Sequence, residues 1–150
     1  KGRNGKTLEE HWEGGMKSLH GINIHGFPNL FILGLAQGGS LVANVTHNFT
    51  ESASAISAMV GKCIQNGSET IEPTAEAEMK WVNRLEVQDR GFLANCTPGY
   101  YNNEGSPASD RDLFSTARYP EGPVAFFEYL HDWVASGQFE GLEFSPPPAS

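Results

Sequence analysis

The sequence is poor in cysteine and has no long apolar run. Cys63 and Cys96 are its only cysteines, too few for the disulfide framework of a small secreted protein. No apolar stretch approaches the roughly 20 residues that a membrane-spanning helix needs. No basic start followed by an apolar core marks a signal peptide. We therefore expect a cytoplasmic protein without a membrane span.

Positive charge is also scarce. Lys and Arg together number 10 against 18 Asp and Glu, so the formal net charge is -8. A nucleic-acid surface needs clustered basic residues that neutralise phosphates, so we expect no nucleic-acid partner. The five histidines are scattered and form no metal-ligand spacing with cysteines or acidic residues. No metal site is predicted.

A further absence concerns dinucleotide binding. The chain has no G-x-G-x-x-G motif at a strand–helix junction, and Gly14-Gly15 and Gly38-Gly39 lack its spacing. Its 150 residues suffice for one domain with a core. The sequence begins at Lys1 and not at Met, which suggests a processed, trimmed or partial chain. We expect one partial domain over residues 1–145 and a flexible Pro-rich tail over 146–150.

The apolar pattern predicts a short buried strand and a long helix. The run Leu30–Leu33 does not alternate with polar residues, which favours a strand covered on both faces, as in a parallel sheet. Gly34 ends it. Helical periodicity follows from about Thr46 to Gln65, and Asn66-Gly67 is a stop signal. The predicted apolar stripe of this helix comprises Phe49, Ala53, Ile56, Met59, Val60, Cys63 and Ile64.

Further elements are indicated on both sides. Thr7-Leu-Glu-Glu10 fits a capping box that starts a short helix, and Leu19–Ile24 is predicted to be a short extended piece. A second main helix is expected with Pro73 in its first turn and with Ala77, Trp81 and Leu85 on one face. The third is expected between Pro120/Pro123 and Ser136-Gly137, with a stripe formed by Val124, Phe126, Phe127, Leu130, Trp133 and Val134.

A long loop separates the last two helices. Its segment Cys96–Gly105 contains Pro98 and Gly99, which break helices, and holds Tyr100, Tyr101 and Glu104 among amide side chains. Loops longer than ~12–15 residues inside a compact domain are usually functional or disordered. Such a loop can offer stacking surfaces to a ligand, although its aromatic rings can equally pack on the body of the protein. The predicted class is therefore α/β, with a short strand or strands, three main helices and a long ordered loop.

Three strings at matching separations resemble the C-terminal part of Baeyer–Villiger monooxygenases. They are Gly26-Phe-Pro-Asn-Leu-Phe31, Glu72-Pro-Thr-Ala-Glu-Ala-Glu-Met-Lys-Trp81 and Cys96-Thr-Pro-Gly-Tyr-Tyr-Asn-Asn-Glu-Gly105. The resemblance extends from about Gly2 to Leu142. It implies the C-terminal part of a flavoprotein with two dinucleotide-binding domains, which uses FAD and NADPH to insert an oxygen atom beside a ketone.

In that family both glycine-rich cofactor motifs and the catalytic arginine precede the part that this chain resembles. The resemblance therefore implies that the chain does not catalyse oxygenation alone. Its expected partners are a small ketone substrate and the remaining N-terminal part of the enzyme or a partner chain.

The resemblance also implies which residues contact the cofactors. The backbone after the Phe31 segment approaches the flavin ring, and an amide side chain lies nearby at Asn44. This chain has Gly34-Leu35 where many members have Gly-Pro. Tyr100 and Tyr101 occupy the loop that in many members carries a tryptophan at the nicotinamide cofactor. The expected cofactor-binding residues are Gly34, Leu35, Ala36, Gln37, Gly38, Asn44, Tyr100 and Tyr101.

Alternatives remain open from the residues themselves. The chain could be a naturally short homologue without oxygenase activity that acts as an interaction module. It could also be a cofactor-free isomerase or cyclase with Glu104 as acid or base beside the two tyrosines. His47 is expected to support packing at the start of its helix, with a role near the flavin as the sharper hypothesis.

Overall fold

A computed structural model describes residues 1–34, 37, 44–85, 97 and 117–146. Its helices are α1 (Leu8–His11), α2 (Val45–Gln65), α3 (Ala75–Arg84) and α4 (Gly122–Ala135), and a 3-10 turn covers Arg3–Gly5. Strands β1 (Thr70–Pro73) and β2 (Leu142–Ser145) pair antiparallel, with Ile71 opposite Phe144. The three main helices are confirmed. The tail over 146–150 stays a prediction, since residues 147–150 lie outside the described ranges.

The short first helix begins at the predicted capping box. The Thr7 hydroxyl accepts from the Glu10 backbone N–H, and the Glu10 carboxylate accepts from the Thr7 backbone N–H. This reciprocal pair satisfies backbone donors that a helix start leaves unpaired. The Thr7 backbone N–H and the Thr7 hydroxyl both donate to the Glu10 carboxylate, which keeps the pKa of Glu10 below its ordinary value.

Helix α2 has the predicted bounds but buries a different face. Asn44 caps its start and Gly67, in a left-handed conformation with φ of 65°, follows its end. The residues that α2 buries are Asn48, Ser52, Ala55, Met59 and Cys63. Of the predicted stripe, Phe49 and Val60 are exposed and Ile64 is 73% exposed, so that assignment was wrong for them. Small and polar residues fit against the body of the protein, and three large apolar side chains point outward.

The predicted strand at Leu30–Leu33 is not formed. Phe31 makes one isolated bridge to Asn23, and Leu33 is 54% exposed. The Leu19–Ile24 prediction was also wrong, because Leu19 and Asn23 exchange two backbone hydrogen bonds around a tight turn. His20, with φ of 55°, adopts a left-handed conformation in that turn, which periodicity does not reveal.

The two-stranded sheet uses a proline that the sequence analysis assigned to a helix. Pro73 ends β1, and Thr74 caps α3 by accepting from the Ala77 backbone N–H. The cap explains the boundary: the Thr74 hydroxyl satisfies a helix-start N–H, so α3 begins after Thr74 and Pro73 is left as the last residue of β1.

Two buried clusters hold these elements together. One joins α2 to β1 and α4 around Met59, which is fully buried, and Leu130. The other packs Trp81 of α3 and Leu85, which directly follows α3, against Phe126 and neighbouring residues of α4, as their periodicity predicted. Val124, part of the predicted α4 stripe, is 67% exposed and was assigned wrongly. Within the described ranges, no helix has both the length and the apolar character needed to cross a bilayer.

Candidate functional site

Gly34 begins the segment that the sequence analysis assigned to the flavin. Its φ of 150° lies in a region that favours glycine, and a Cβ at this position would sit 3.4 Å from the Phe49 ring. The Gly34 carbonyl accepts from the Ser52 hydroxyl at 3.3 Å. Gly34 therefore lies directly against the first turns of α2.

Gln37 is fully buried, and its side-chain amide is engaged by the protein itself. Its Oε1 accepts from the Ser18 hydroxyl at 2.5 Å, and its Nε2 donates to the Met16 carbonyl at 2.7 Å. Its backbone is left-handed, with φ of 50°. Its side chain thus anchors the segment to residues 16–18. Leu35, Ala36 and Gly38 lie outside the described residues.

Asn44 stands at the start of α2 and is exposed. Its Oδ1 accepts from the Thr46 backbone N–H at 2.9 Å and from the Thr46 hydroxyl. Its carbonyl accepts from the Asn48 side-chain amide at 2.9 Å. The opposite end of that amide, Asn48 Oδ1, is buried and has no hydrogen-bond partner among the described residues. The first turns of α2 therefore combine a capped N-terminus with one unsatisfied buried acceptor.

The start of α2 offers groups whose chemistry would suit the edge of a flavin ring. The N-terminus of a long helix is electropositive and favours electron-rich carbonyl oxygens. A buried acceptor without a partner costs free energy until a donor satisfies it, and the flavin ring edge offers both carbonyl oxygens and an imide N–H. Gly34, Gln37 and Asn44 are the described residues that could hold this group, the first two through their backbone.

His47 lies on the first turns of α2, with its ring edge-on to Phe127 of α4 at a centroid distance of 5.0 Å. Its Nε2 lies 3.4 Å from Glu51 Oε1, and His131 Nε2 lies 2.5 Å from Glu51 Oε2. The cluster joins α2 to α4, which agrees with a packing role. A role of His47 near the flavin stays a prediction. Among the described residues, no group of three potential ligands could hold a metal ion.

Two buried carboxylates have a role that the sequence analysis did not assign. Glu72 accepts from the Gly26 backbone N–H and Glu78 from the His25 backbone N–H, each at 2.8 Å. Arg3 adds two contacts to Glu72, at 2.7 and 2.6 Å. Together they fix the turn that precedes Phe31 and Gly34.

These environments shift the pKa of two neighbouring groups. Burial opposes ionisation of Glu72, but the hydrogen bond from Arg3, the Gly26 N–H and the Arg3 charge outweigh it and lower the pKa. Burial lowers the pKa of His11 against the opposing effect of Glu78, whose Oε2 lies 3.3 Å from His11 Nε2. A sequence signal for Glu78 did exist, because it falls on the buried stripe of α3 with Trp81 and Val82.

His20 is a second buried group that the sequence analysis missed. Its ring meets Trp81, Tyr129 and Trp133 edge-on at centroid distances of 4.6–5.2 Å, and Nε2 lies 3.1 Å from the Tyr129 hydroxyl. Burial, with a smaller effect of Arg84, lowers the His20 pKa to about 3. His20 is therefore neutral at physiological pH and belongs to the core.

The remaining predicted site residues cannot be located. Tyr100, Tyr101 and Glu104 lie outside the described residues. The nicotinamide contact of the two tyrosines and the acid–base role of Glu104 stay predictions.

Known enzymes match the chain over nearly its whole length. It is 37% identical over 145 residues to the FAD-binding monooxygenase hmp7 of Hypomyces subiculosus, and 35% identical over 150 residues to Baeyer-Villiger monooxygenase 4 of Dietzia sp. (strain D5). These matches cover 95% and 97% of the chain. The chain spans about a quarter (24%) of the length of each relative. No protein-family model matches.

Solved structures agree. The polycyclic ketone monooxygenase of Thermothelomyces thermophila superposes with a TM-score of 0.80 at 28% identity, covering 97% of this chain and 24% of that one. The cyclohexanone monooxygenase of Rhodococcus sp. Phi1, solved with NADP+, gives 0.72 at 25% identity, with 97% and 26% covered. The chain belongs to the FAD-binding and Baeyer–Villiger monooxygenases and corresponds to their C-terminal part.

Proposed function

We propose that this chain is the C-terminal portion of an FAD- and NADPH-dependent Baeyer–Villiger-type monooxygenase that inserts an oxygen atom beside a ketone carbonyl. The observation that carries the proposal is the match to such enzymes over 95–97% of the chain at 35–37% identity. The short-homologue alternatives have no comparable support, since the relatives are full-length monooxygenases.

The cofactor assignment follows the names of the relatives and the residues of the candidate site. One relative is called FAD-binding, and one structural neighbour was solved with NADP+. Gly34 and Gln37 would face FAD through their backbone, and Asn44 would lie beside it at the start of α2. Bound FAD, reduced by NADPH, would supply the activation of O2. Tyr100 and Tyr101 remain the proposed aromatic contacts of the nicotinamide cofactor.

The chain's own residues would place the flavin and shield it from water. Ser52 holds Gly34 against α2, and the Asn44 cap fixes the start of that helix. Glu72 and Glu78 fix the preceding turn from the other side. A backbone held at several points supplies oriented donors without reorganising during the reaction, which is the condition for electrostatic preorganisation.

The stoichiometry of the proposed oxygenation can be measured directly. Ketone, O2, NADPH and one proton yield ester or lactone, water and NADP+. The full-length polypeptide carrying these 150 residues should be incubated with NADPH, 18O2 and a panel of cyclic ketones. The masses of the products are then measured by mass spectrometry. We expect one labelled oxygen per lactone and about one NADPH consumed for each. A flavin-free protein, or one that forms no labelled ester from any ketone, would contradict the proposal.

The proposal includes a small ketone as substrate and a cytoplasmic location, where NADPH is available as reductant. Fractionation of source cells with an antibody against the chain checks the location. Recovery of the polypeptide from a membrane or extracellular fraction would overturn that part.

A further inference from the structure

Gln37 lies within the segment that the proposed function places against FAD, and its side chain is closed off from any ligand. It is fully buried, with both ends of its amide bonded to residues 16–18. A residue engaged in this way can meet a ligand only through its backbone. The buried amide can then affect a ligand only by holding that backbone in place.

The hydrogen bonds around Gln37 have a fixed direction. The Gly21 backbone N–H donates to the Ser18 hydroxyl at 3.1 Å, and the Ser18 hydroxyl donates its single proton to Gln37 Oε1. Gln37 Nε2 then donates to the Met16 carbonyl. Rotating the amide by 180° would set Oε1 against the Met16 carbonyl, which can only accept. The amide is therefore specified atom by atom, and neither a carboxylate nor an apolar side chain reproduces it.

The other end of this chain of bonds lies in the core. Ser18 is fully buried, and the turn that follows it places Leu19, His20 and Ile22 in the core. The backbone of Gln37 adopts the left-handed conformation that a non-glycine residue enters only at a cost. The amide contacts thus hold residue 37 in an unfavourable backbone conformation and tie it to the segment at residues 16–18, next to the core.

We infer that Gln37 is a positioning residue for the flavin, which uses its buried side chain, through Ser18 and Met16, to set the backbone that contacts the cofactor. The inference rests on the proposed function. It predicts that losing the amide weakens and reorients FAD while the core of the chain stays folded. Ser18 should share the effect, because it forms the other half of the contact.

The test compares Gln37→Met, Gln37→Glu and Ser18→Ala in the full-length polypeptide. Met59→Ala is the matched control, because Met59 is equally buried but lies in the hydrophobic cluster that joins α2 to β1 and α4. Each apoprotein is titrated with FAD, and the visible spectrum of the bound flavin and the thermal midpoint are recorded. We expect both Gln37 variants and Ser18→Ala to weaken FAD binding about 10-fold or more and to shift the flavin spectrum. Met59→Ala should lower the thermal midpoint and keep the wild-type affinity and spectrum.

Three outcomes decide the matter. Wild-type FAD affinity and spectrum in the Gln37 and Ser18 variants would overturn the inference and leave the proposed function intact. An equal loss of FAD binding in Met59→Ala would also overturn it, because general destabilisation would then account for the effect. A wild-type protein that does not bind FAD would overturn the proposed function itself. Ser18→Ala, the mildest change, decides the case if the Gln37 variants fail to fold.

Discussion

Two buried titratable residues, His20 and Glu72, both make the folded state less stable as pH falls, but in different pH ranges. His20 is buried in its neutral form, so the folded state resists taking up a proton. Glu72 is buried in its charged form and is stabilised by donors, so the folded state resists protonation of the carboxylate. Protonation therefore costs stability at both sites: the cost begins below the ordinary pKa of His20 for one and below that of Glu72 for the other.

The His20 prediction concerns mildly acidic pH. With a folded pKa of about 3 against an ordinary 6.5, stability falls as pH drops below 6.5, because the unfolded chain then binds the proton that the folded chain excludes. The expected loss is about 1.4 kcal/mol per pH unit within that window. Amide exchange in α4, corrected for its intrinsic pH dependence, measures it. His20→Asn should weaken α4 at neutral pH and flatten the slope. An unchanged slope in the variant would show that His20 is not the cause.

The Glu72 prediction applies at lower pH. Because the folded pKa is below the ordinary 4.5, the stabilisation is complete above that value and disappears as pH falls through the folded pKa. Glu72→Gln should cost about 1–2 kcal/mol at pH 7, since it loses the charge but keeps an acceptor for the Gly26 N–H. Thermal melting against pH checks this: the gap between variant and wild type should close on acidification. A constant gap would mean that the charge of Glu72 contributes nothing.

At the scale of elements, Gly141 controls the packing of β2 against α3. A Cβ there would lie 2.7 Å from the Cβ of Ala77, and the φ of 91° is itself unfavourable for other residues. Gly141→Ala should therefore destabilise the protein by about 2–4 kcal/mol through overpacking and backbone strain. Gly137→Ala is the control, because φ is 63° but no atom lies within 4 Å of its Cβ. Gly137→Ala should lower the free energy of unfolding by only about 1 kcal/mol. Equal losses in thermal midpoint would refute the packing argument.

Helix ends and helix existence could be predicted from local chemistry, whereas buried faces and strands could not. The Thr7 capping box and the Asn66-Gly67 stop depend only on neighbouring residues, so the sequence contains them. The buried face of α2 depends on what packs against it, and small residues such as Ser52 and Ala55 displaced Phe49 and Ile64. The pairing of β1 with β2 joins residues about 70 positions apart, which no local pattern encodes.

The candidate site shows the same division. The resemblance indicated Gly34, Gln37 and Asn44, but it gave no side-chain contacts. Gln37 was expected to act through its backbone, and its buried amide explains why. The roles of Glu72 and Glu78 depend on contacts across about 50 residues of sequence, which no local pattern reveals.

At the scale of the whole molecule, the chain covers a quarter of its relatives and carries exposed apolar side chains. Leu33 and Phe49 lie beside the candidate site, and Ile64 lies at the far end of α2. Exposed patches of this kind promote association. We expect the 150 residues alone to self-associate at micromolar concentration, and a Phe49→Glu/Ile64→Glu variant to do so less. Sedimentation velocity measures both. A monodisperse wild-type monomer would contradict the prediction.

The central claim is that these residues form the C-terminal part of a flavin-dependent monooxygenase. The most direct test is the intact mass and absorption spectrum of the polypeptide purified from its natural source through an antibody to this chain. We predict a single polypeptide about four times the 16.3 kDa of this chain, given its 24% share of its relatives, with bound FAD. A flavin-free polypeptide near 16.3 kDa would contradict the claim.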